Sequence, residues 1–330
     1  MKAPIWEHSE EFKTKANITR FMNFVNKQHG LSVGSYDELY DWSINNIPDF
    51  WASVWEFADI KASKPYDTVA TNLDQMESCK WFQGAWLNYA ENILRYRDDE
   101  IALIFKGEAQ EAVRMTYAEL YDQVARLAKS LRQSGLKVGD RVASFMPNMI
   151  ETIVAGLATA SIGAIFATTS PDFGVKGALD RIRQIEPKVF FTANGYSYNG
   201  RVFDSLEKAA DIVKELPSIE KVIVVPYTEK RADISHVPNS IHYEDFLCKD
   251  SGLEIQFEQL PFDHPLYILY TAGTTGAPKC IVHGAGNTLI HLFKEHILQY
   301  NFSREDKFFW FYYQFLDALA LDGWTLGCGS

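Results

Sequence analysis

An alternation of short apolar runs with longer amphipathic segments begins near residue 100 of the chain. The runs of strand length lie at residues 101–105, 141–145, 164–167, 189–192 and 221–225. The segments between them carry apolar residues at helical spacing, and Thr116 with Glu119 forms the capping box of a helix start. Strands joined by helices of this length pair in parallel through right-handed crossovers. The pattern therefore predicts an α/β fold with a doubly wound, largely parallel sheet.

The first 95 residues show a different pattern. They are rich in aromatic residues, of which Phe21 and Phe24 recur at helical spacing, as do those between Phe50 and Phe57. We predict a mostly helical, aromatic-rich N-terminal extension (1–95) with a structural role, packed against a second domain (96–330). Residues 226–264 are polar, contain prolines and are predicted to be irregular.

A loop rich in glycine and threonine follows an apolar run at residues 266–269. From Tyr270 to Lys279 it reads Tyr-Thr-Ala-Gly-Thr-Thr-Gly-Ala-Pro-Lys. Glycines let backbone N–H groups approach an anion, threonine hydroxyls donate hydrogen bonds, and lysine adds positive charge. The loop is therefore suited to a polyphosphate, although its composition alone also fits a surface turn. It is not a Walker A loop, because Pro278 stands where that motif requires glycine.

The whole string resembles the phosphate loop of the adenylate-forming enzymes, the acyl-CoA synthetase superfamily. The superfamily pattern Tyr-[Ser/Thr]-x-Gly-Thr-Thr-Gly-x-Pro-Lys is met at every fixed position. Residues 170–189 and 278–283 bear a narrower resemblance to the acetoacetyl-CoA synthetase family. The acetyl-CoA synthetases are the nearest alternative, but they differ in residues 170–181. Residues 81–92 resemble the end of the N-terminal extension of both families.

The resemblance implies a ligase reaction in two steps. A carboxylate, acetoacetate in the narrower family, reacts with ATP to give an acyl-AMP and pyrophosphate, and the thiol of coenzyme A then displaces AMP. The implied residues for the ATP phosphates are Thr271, Ala272, Gly273, Thr274, Thr275 and Gly276. Lys279, together with Mg²⁺, is implied in catalysis, because it stabilises the charge that accumulates on the pyrophosphate.

Contacts to coenzyme A and to metals are less sharply indicated. Arg201 matches one arginine of a segment that contacts coenzyme A in acetyl-CoA synthetases, whereas Tyr198 replaces the other. Arg201 is therefore either a coenzyme A contact or a solvated turn arginine. His291 and His296 are five positions apart and do not share a helix face, so we expect no metal ligands there. We expect these two histidines, and His283, to be structural.

The resemblance breaks off after Phe311. Members of the family continue through adenine- and ribose-binding motifs and a small C-terminal domain. In residues 312–330, the genetic code allows codons read one base later to give family residues, such as Thr-Thr in place of Tyr312-Tyr313. We therefore expect an out-of-frame tail, a fold whose C-terminal part is missing, and little ligase activity. A divergent but genuine C-terminus is the alternative.

Composition limits the remaining function classes. A net charge of −11 disfavours a general nucleic-acid binder, and 47% hydrophobic with 23% charged residues is typical of a globular protein. No apolar run reaches the ~20 residues of a membrane span, and the acidic start is no secretory signal. The cysteines, Cys79, Cys248, Cys280 and Cys328, lack paired spacing and are predicted to be free thiols.

These limits lead to one principal hypothesis and two alternatives. The principal hypothesis is a cytosolic acetoacetate–CoA ligase whose partners are small molecules: acetoacetate, ATP and coenzyme A. The first alternative is another short-chain acyl-CoA synthetase, for example one that activates acetate. The second is a non-catalytic fragment that binds only nucleotide or a partner.

Overall fold

The computed structural model describes residues 5–271, 276 and 278–309. Its α-helices are α1 (Glu10–Lys15), α2 (Asn17–His29), α3 (Tyr36–Asn45), α4 (Ile47–Phe57), α5 (Tyr89–Ile93), α6 (Tyr117–Gln133), α7 (Ile150–Ser161), α8 (Val175–Ile182), α9 (Leu206–Lys214), α10 (Tyr243–Phe246) and α11 (Ala285–Lys294). A 3₁₀ turn (Arg183–Ile185) follows α8, and a π-helical turn (Glu295–Gln299) follows α11.

The strands fall into a central sheet and several small antiparallel pairs. They are β1 (Thr68–Thr71), β2 (Lys80–Gln83), β3 (Trp86–Leu87), β4 (Ile101–Phe105), β5 (Val113–Thr116), β6 (Arg141–Phe145), β7 (Ile165–Thr169), β8 (Val189–Ala193), β9 (Gly195–Tyr198), β10 (Arg201–Asp204), β11 (Lys221–Val225), β12 (Ser240–His242), β13 (Leu260–Pro261), β14 (Pro265–Thr271) and β15 (Lys279–Gly284).

The central sheet has the order β12-β11-β8-β6-β7-β14-β15. Neighbouring strands from β12 to β14 are parallel, and β15 alone in this sheet runs antiparallel, beside β14. Side chains alternate between two hydrophobic cores: Phe191 of β8 faces the core containing α6 and α7, whereas Phe190 faces the core containing α8 and α9. The predicted doubly wound, largely parallel α/β sheet is confirmed.

Three details of the predicted pattern are wrong. Residues 101–105 form a strand outside the central sheet, β4, which pairs antiparallel with β5. The connection at residues 106–112 is too short for a crossover, so the two strands form a hairpin. The segment between the runs at 189–192 and 221–225, where helical spacing predicts a helix, becomes helical only at Leu206, because residues 201–204 pair with β9. Residues 226–264 include β12, α10 and β13 rather than being wholly irregular.

The N-terminal helices pack onto the same core as α6 and α7 through an aromatic stack. The ring centroids of Trp55 in α4 and Phe82 in β2 are 4.9 Å apart, and Phe82 lies 4.9 Å from Phe262. The ring of Phe262 in turn packs against Gly286, in the first turn of α11. Stacked rings of this kind bury a large apolar area. They fix the first helices against the helix that follows β15.

A second contact joins the first helices to residues 301–304. The backbone N–H of Asn17 donates to Oδ1 of Asn301 at 2.7 Å, and its side-chain amide donates to the carbonyl of Phe302 at 3.1 Å. The guanidinium of Arg304 lies over the rings of Tyr96 and Tyr117, 4.4 Å and 5.2 Å from their centroids. Residues near both limits of the described chain therefore lie together. Among the helices described, none is long and apolar enough to cross a membrane.

Candidate functional site

The glycine- and threonine-rich loop joins β14 to β15. Thr271 and Lys279 are paired residues of this antiparallel hairpin and mark the two ends of the loop. Because β14 is parallel to β7, the loop leaves the carboxyl edge of the sheet, which is where open α/β sheets bind ligands. The predicted site residues Ala272, Gly273, Thr274 and Thr275 lie outside the described residues.

The three described members of the predicted site are open to solvent. The side chains of Thr271 and Lys279 are exposed, and a Cβ atom added at Gly276 would meet no atom within 4 Å. No acidic side chain within the described ranges forms an ion pair with Lys279. The exposed ammonium of Lys279 and the exposed hydroxyl of Thr271 suit an anionic ligand.

Gln184, in the 3₁₀ turn after α8, contacts the residues on both sides of Lys279. Its Nε2 donates to the carbonyl oxygen of Pro278 at 2.9 Å, and its Oε1 accepts from the thiol of Cys280 at 3.4 Å. Nε2 also donates to the carbonyl oxygen of Asp180 at 2.7 Å, which ties the side chain to its own helix. We call this set of contacts the Gln184 clamp. Sequence reasoning missed it, because no motif signals a contact between residues 94 positions apart.

Three buried donors lie on the α8 side of the sheet near the start of the loop. Oη of Tyr270, Nε of Arg181 and Oγ1 of Thr169 have no hydrogen-bond partner among the described residues. Burial, and secondarily the nearby Cys280, raises the pKa of Tyr270 well above its usual value, while Arg181 opposes that shift. The guanidinium of Arg181 lies 4.2 Å from the ring centroid of Phe173. Buried donors without a hydrogen-bond partner are uncommon, so three of them at one edge of the sheet distinguish this edge from the rest of the core.

Arg201 lies elsewhere on the molecule, at the exposed start of β10. The turn before it contains Asn199 and Gly200, with φ angles of 51° and 71°. Their N–H groups donate to the carboxylate of Glu108 at 2.9 Å and 3.0 Å, and these bonds lower the pKa of Glu108. No described contact joins Arg201 to Lys279, so its assignment to coenzyme A stays a prediction.

The histidines and potential metal ligands form no recognisable centre. No group of three or more His, Cys, Asp or Glu side chains within the described residues could hold a metal ion. His283 lies on β15, with its ring 5.0 Å from that of Tyr267, and burial lowers its pKa. His296 is buried between the rings of Tyr300 and Phe302.

Comparison with known sequence families places this fold. A model of the AMP-binding enzyme family matches residues 90–323, which include the central sheet and the whole loop. The chain belongs to the AMP-binding enzyme family. A second model, the N-terminus of acetyl-coenzyme A synthetase, matches residues 36–93, which include α3, α4 and α5.

Individual members of the AMP-binding family match most of the chain. An acetoacetyl-CoA synthetase of Danio rerio is 47% identical over 303 residues, which are 89% of this chain and 45% of that protein. One of Rhizobium meliloti (strain 1021) is 40% identical over 309 residues, which are 93% of this chain and 47% of that protein. The structure of an acetoacetyl-CoA synthetase from Streptomyces lividans matches with a TM-score of 0.92 at 38% identity. The match covers 99% of this chain and 50% of the Streptomyces lividans protein.

The predicted resemblance to acetoacetyl-CoA synthetases is thereby confirmed. The chain spans about half the length of the curated relatives it matches. The family match at residues 90–323 extends beyond Phe311 into residues 312–323. Residues 310–330 lie outside the described part of the chain, so the out-of-frame tail stays a prediction.

Proposed function

We propose that the chain is the N-terminal part of an acetoacetate–CoA ligase that forms AMP through an acyl-adenylate. The observation that carries this proposal is the loop: it meets the superfamily pattern and leaves the carboxyl edge of the sheet, with Thr271 opposite Lys279. The acetoacetyl-CoA synthetases that match at 47% and 40% identity support the choice of acid. ATP, acetoacetate and coenzyme A are the proposed substrates.

The roles of the loop follow from its chemistry. A carboxylate is a poor acyl donor, and its attack on the α-phosphorus of ATP releases pyrophosphate and leaves a reactive mixed anhydride. The ammonium of Lys279, which is exposed, is proposed to offset negative charge on the departing pyrophosphate. The hydroxyl of Thr271, with those proposed for Thr274 and Thr275, holds the phosphates in line for this step. The N–H groups of Ala272, Gly273 and Gly276 are proposed to do the same.

Mg²⁺, when bound, would neutralise phosphate charge. Oxygens of ATP, water and loop hydroxyls would be among its ligands. Arg201 is exposed and is proposed to contact a phosphate of coenzyme A. The thiols of Cys79, Cys248 and Cys280 are free, which suits the proposed cytosolic location.

Two divisions of the chain belong to this proposal. The boundary between extension (1–95) and AMP-binding part (96–330) is supported by family matches that end at residue 93 and start at residue 90. If residues 312–330 are an out-of-frame tail, the frame change accounts for the missing C-terminal half of the fold, and little ligase activity is expected. Sequencing the coding DNA beyond the codon of Phe311 tests this: the absence of any downstream frame that encodes family motifs refutes it.

Acetate is the alternative acid, because residues 36–93 match the N-terminus of acetyl-coenzyme A synthetase. The two acids are compared by acid-dependent exchange of pyrophosphate into ATP, using the protein expressed from the restored full-length frame. Faster exchange with acetoacetate than with acetate supports the proposal. The opposite order supports acetate–CoA ligase.

Binding of Mg–ATP to the chain itself tests the loop. Calorimetric titration should show binding that is weakened about tenfold or more by Lys279→Ala, since a charged hydrogen bond contributes ~1.5–3 kcal/mol. Lys27→Ala is the matched control, because Lys27 is exposed on α2. Equal affinity of the Lys279→Ala and wild-type chains would refute the role of the loop.

A further inference from the structure

We propose that Gln184 is a positioning residue that fixes the backbone of Lys279 for the nucleotide. This inference rests on the proposed function of the loop, but its structural half can be tested without nucleotide. None of the hydrogen bonds described for Gln184 goes to the ammonium of Lys279. It bonds to the residues immediately before and after Lys279, at Pro278 and Cys280.

The clamp acts where the hairpin is otherwise least supported. Among the residues that the structure describes, β15 is the last strand of the sheet, and β14 supplies its backbone ladder. Pro278 lacks an N–H group, which removes one donor at the point where the loop re-enters the sheet. Its carbonyl oxygen instead accepts from Gln184, which gives the returning leg of the loop a contact on the α8 side of the sheet.

Gln184 is exposed, but its amide is hydrogen-bonded to its own helix. Its bond to the carbonyl of Asp180 lies within the last turn of α8, and Arg181 of the same helix is buried with its ζ-carbon 4.2 Å from the ring centroid of Phe173. A side chain that is already ordered loses little entropy when it binds a neighbouring segment. The amide therefore holds the segment from Pro278 to Cys280 at a defined distance from α8. Lys279 lies between the two contact points, so its Cα has little freedom to move.

A glutamine is well matched to this task. The amide is a donor and an acceptor at once, so it can hold a carbonyl oxygen and a thiol in the same contact. Neither a carboxylate nor an ammonium of similar length could supply both contacts as a neutral group. Removing the amide takes away both contacts to the segment from Pro278 to Cys280. We expect the ammonium of Lys279 to sample more positions as a result.

The first experiment measures the clamp through the thiol of Cys280. Its reaction with iodoacetamide is followed residue by residue by mass spectrometry, with Cys79 and Cys248 as internal references. Loss of one weak hydrogen bond should make alkylation of Cys280 about threefold to fivefold faster in Gln184→Ala. Gln133→Ala, at an exposed glutamine near the end of α6, is the matched control and should leave the rate unchanged. An unchanged rate in Gln184→Ala overturns the clamp.

The second experiment asks whether Gln184 acts through Lys279. The affinity of the chain for Mg–ATP is measured in a double-mutant cycle of Gln184→Ala and Lys279→Ala. We expect Gln184→Ala alone to weaken binding about fivefold, and by less than about twofold once Lys279 is already alanine. Equal losses in the two backgrounds overturn the positioning role, because a general structural defect would be independent of Lys279.

Further controls separate the possible failures. Gln184→Met keeps the length of the side chain without its polar atoms, and it replaces Gln184→Ala in both experiments if the alanine variant does not fold. A wild-type chain that does not bind Mg–ATP refutes nucleotide binding by the loop of this chain, not the clamp. In that case the alkylation rates decide whether Gln184 restrains the segment around Lys279.

Discussion

Replacing Gly286 with alanine should destabilise the protein although alanine favours helix. A Cβ atom at this position would lie 2.2 Å, 2.4 Å and 2.6 Å from three ring atoms of Phe262. That ring is only 3% exposed and is stacked on Phe82. A methyl group at residue 286 therefore forces this ring to shift. Overpacking of a core costs about 1–3 kcal/mol, whereas removing a helical glycine gains at most ~1 kcal/mol.

The expected net effect is a loss of about 1–2 kcal/mol in the free energy of unfolding. Gly177 in α8 provides a matched control, because a Cβ atom there would be 3.5 Å or more from its neighbours. Gly177→Ala should therefore stabilise the chain by about 0.5–1 kcal/mol. Urea unfolding of both variants and of wild type, followed by tryptophan fluorescence, measures the two changes in the free energy of unfolding and shows whether they have opposite signs. A Gly286→Ala chain as stable as wild type, with an unchanged dependence on urea, refutes the packing argument.

Two further predictions concern buried polar groups. Asn88→Ala should lower the free energy of unfolding by about 2–4 kcal/mol, because three backbone carbonyls lose their donor and α5 loses its N-cap. Asn45→Ala, at an exposed asparagine, is the control. Equal urea midpoints for Asn88→Ala and wild type contradict the prediction. Burial raises the pKa of Glu151 above its usual 4.5, so this group favours folding below that value and the benefit is lost as pH rises through the raised pKa. Glu151→Gln should therefore raise the melting temperature at pH 7 but not near pH 4, unlike exposed Glu207→Gln; a gain that is independent of pH contradicts the mechanism.

Much of the central sheet could be predicted because its signals are local. The capping box at Thr116 and Glu119 is present at the start of α6, and β11 has the predicted bounds. The misplaced strand is β4, whose apolar run looks like those of the central sheet. What decides its partner is the short connection to β5, and the residues of β5 are too polar to be recognised as a strand by periodicity.

The site divides in the same way between local and distant signals. The loop from Tyr270 to Lys279 is recognised from consecutive residues, and its position at the carboxyl edge follows from the parallel sheet. Gln184 and the buried Arg181 could not be predicted, because their roles depend on how α8 packs beside β14. Polar side chains of a helix give no sequence signal that separates a solvated position from a buried one.

The bond between Asn17 and Asn301 has a consequence for how the chain folds. The two residues are separated by 284 positions, so their contact has a very high contact order. During synthesis, α2 leaves the ribosome long before residues 301 and 302 are made, and its first turn must wait for them with its N–H groups hydrated. In nascent chains that end before residue 301, the start of α2 should therefore still be cleaved by protease. It should be the last segment to gain protection, although α2 is the second helix translated.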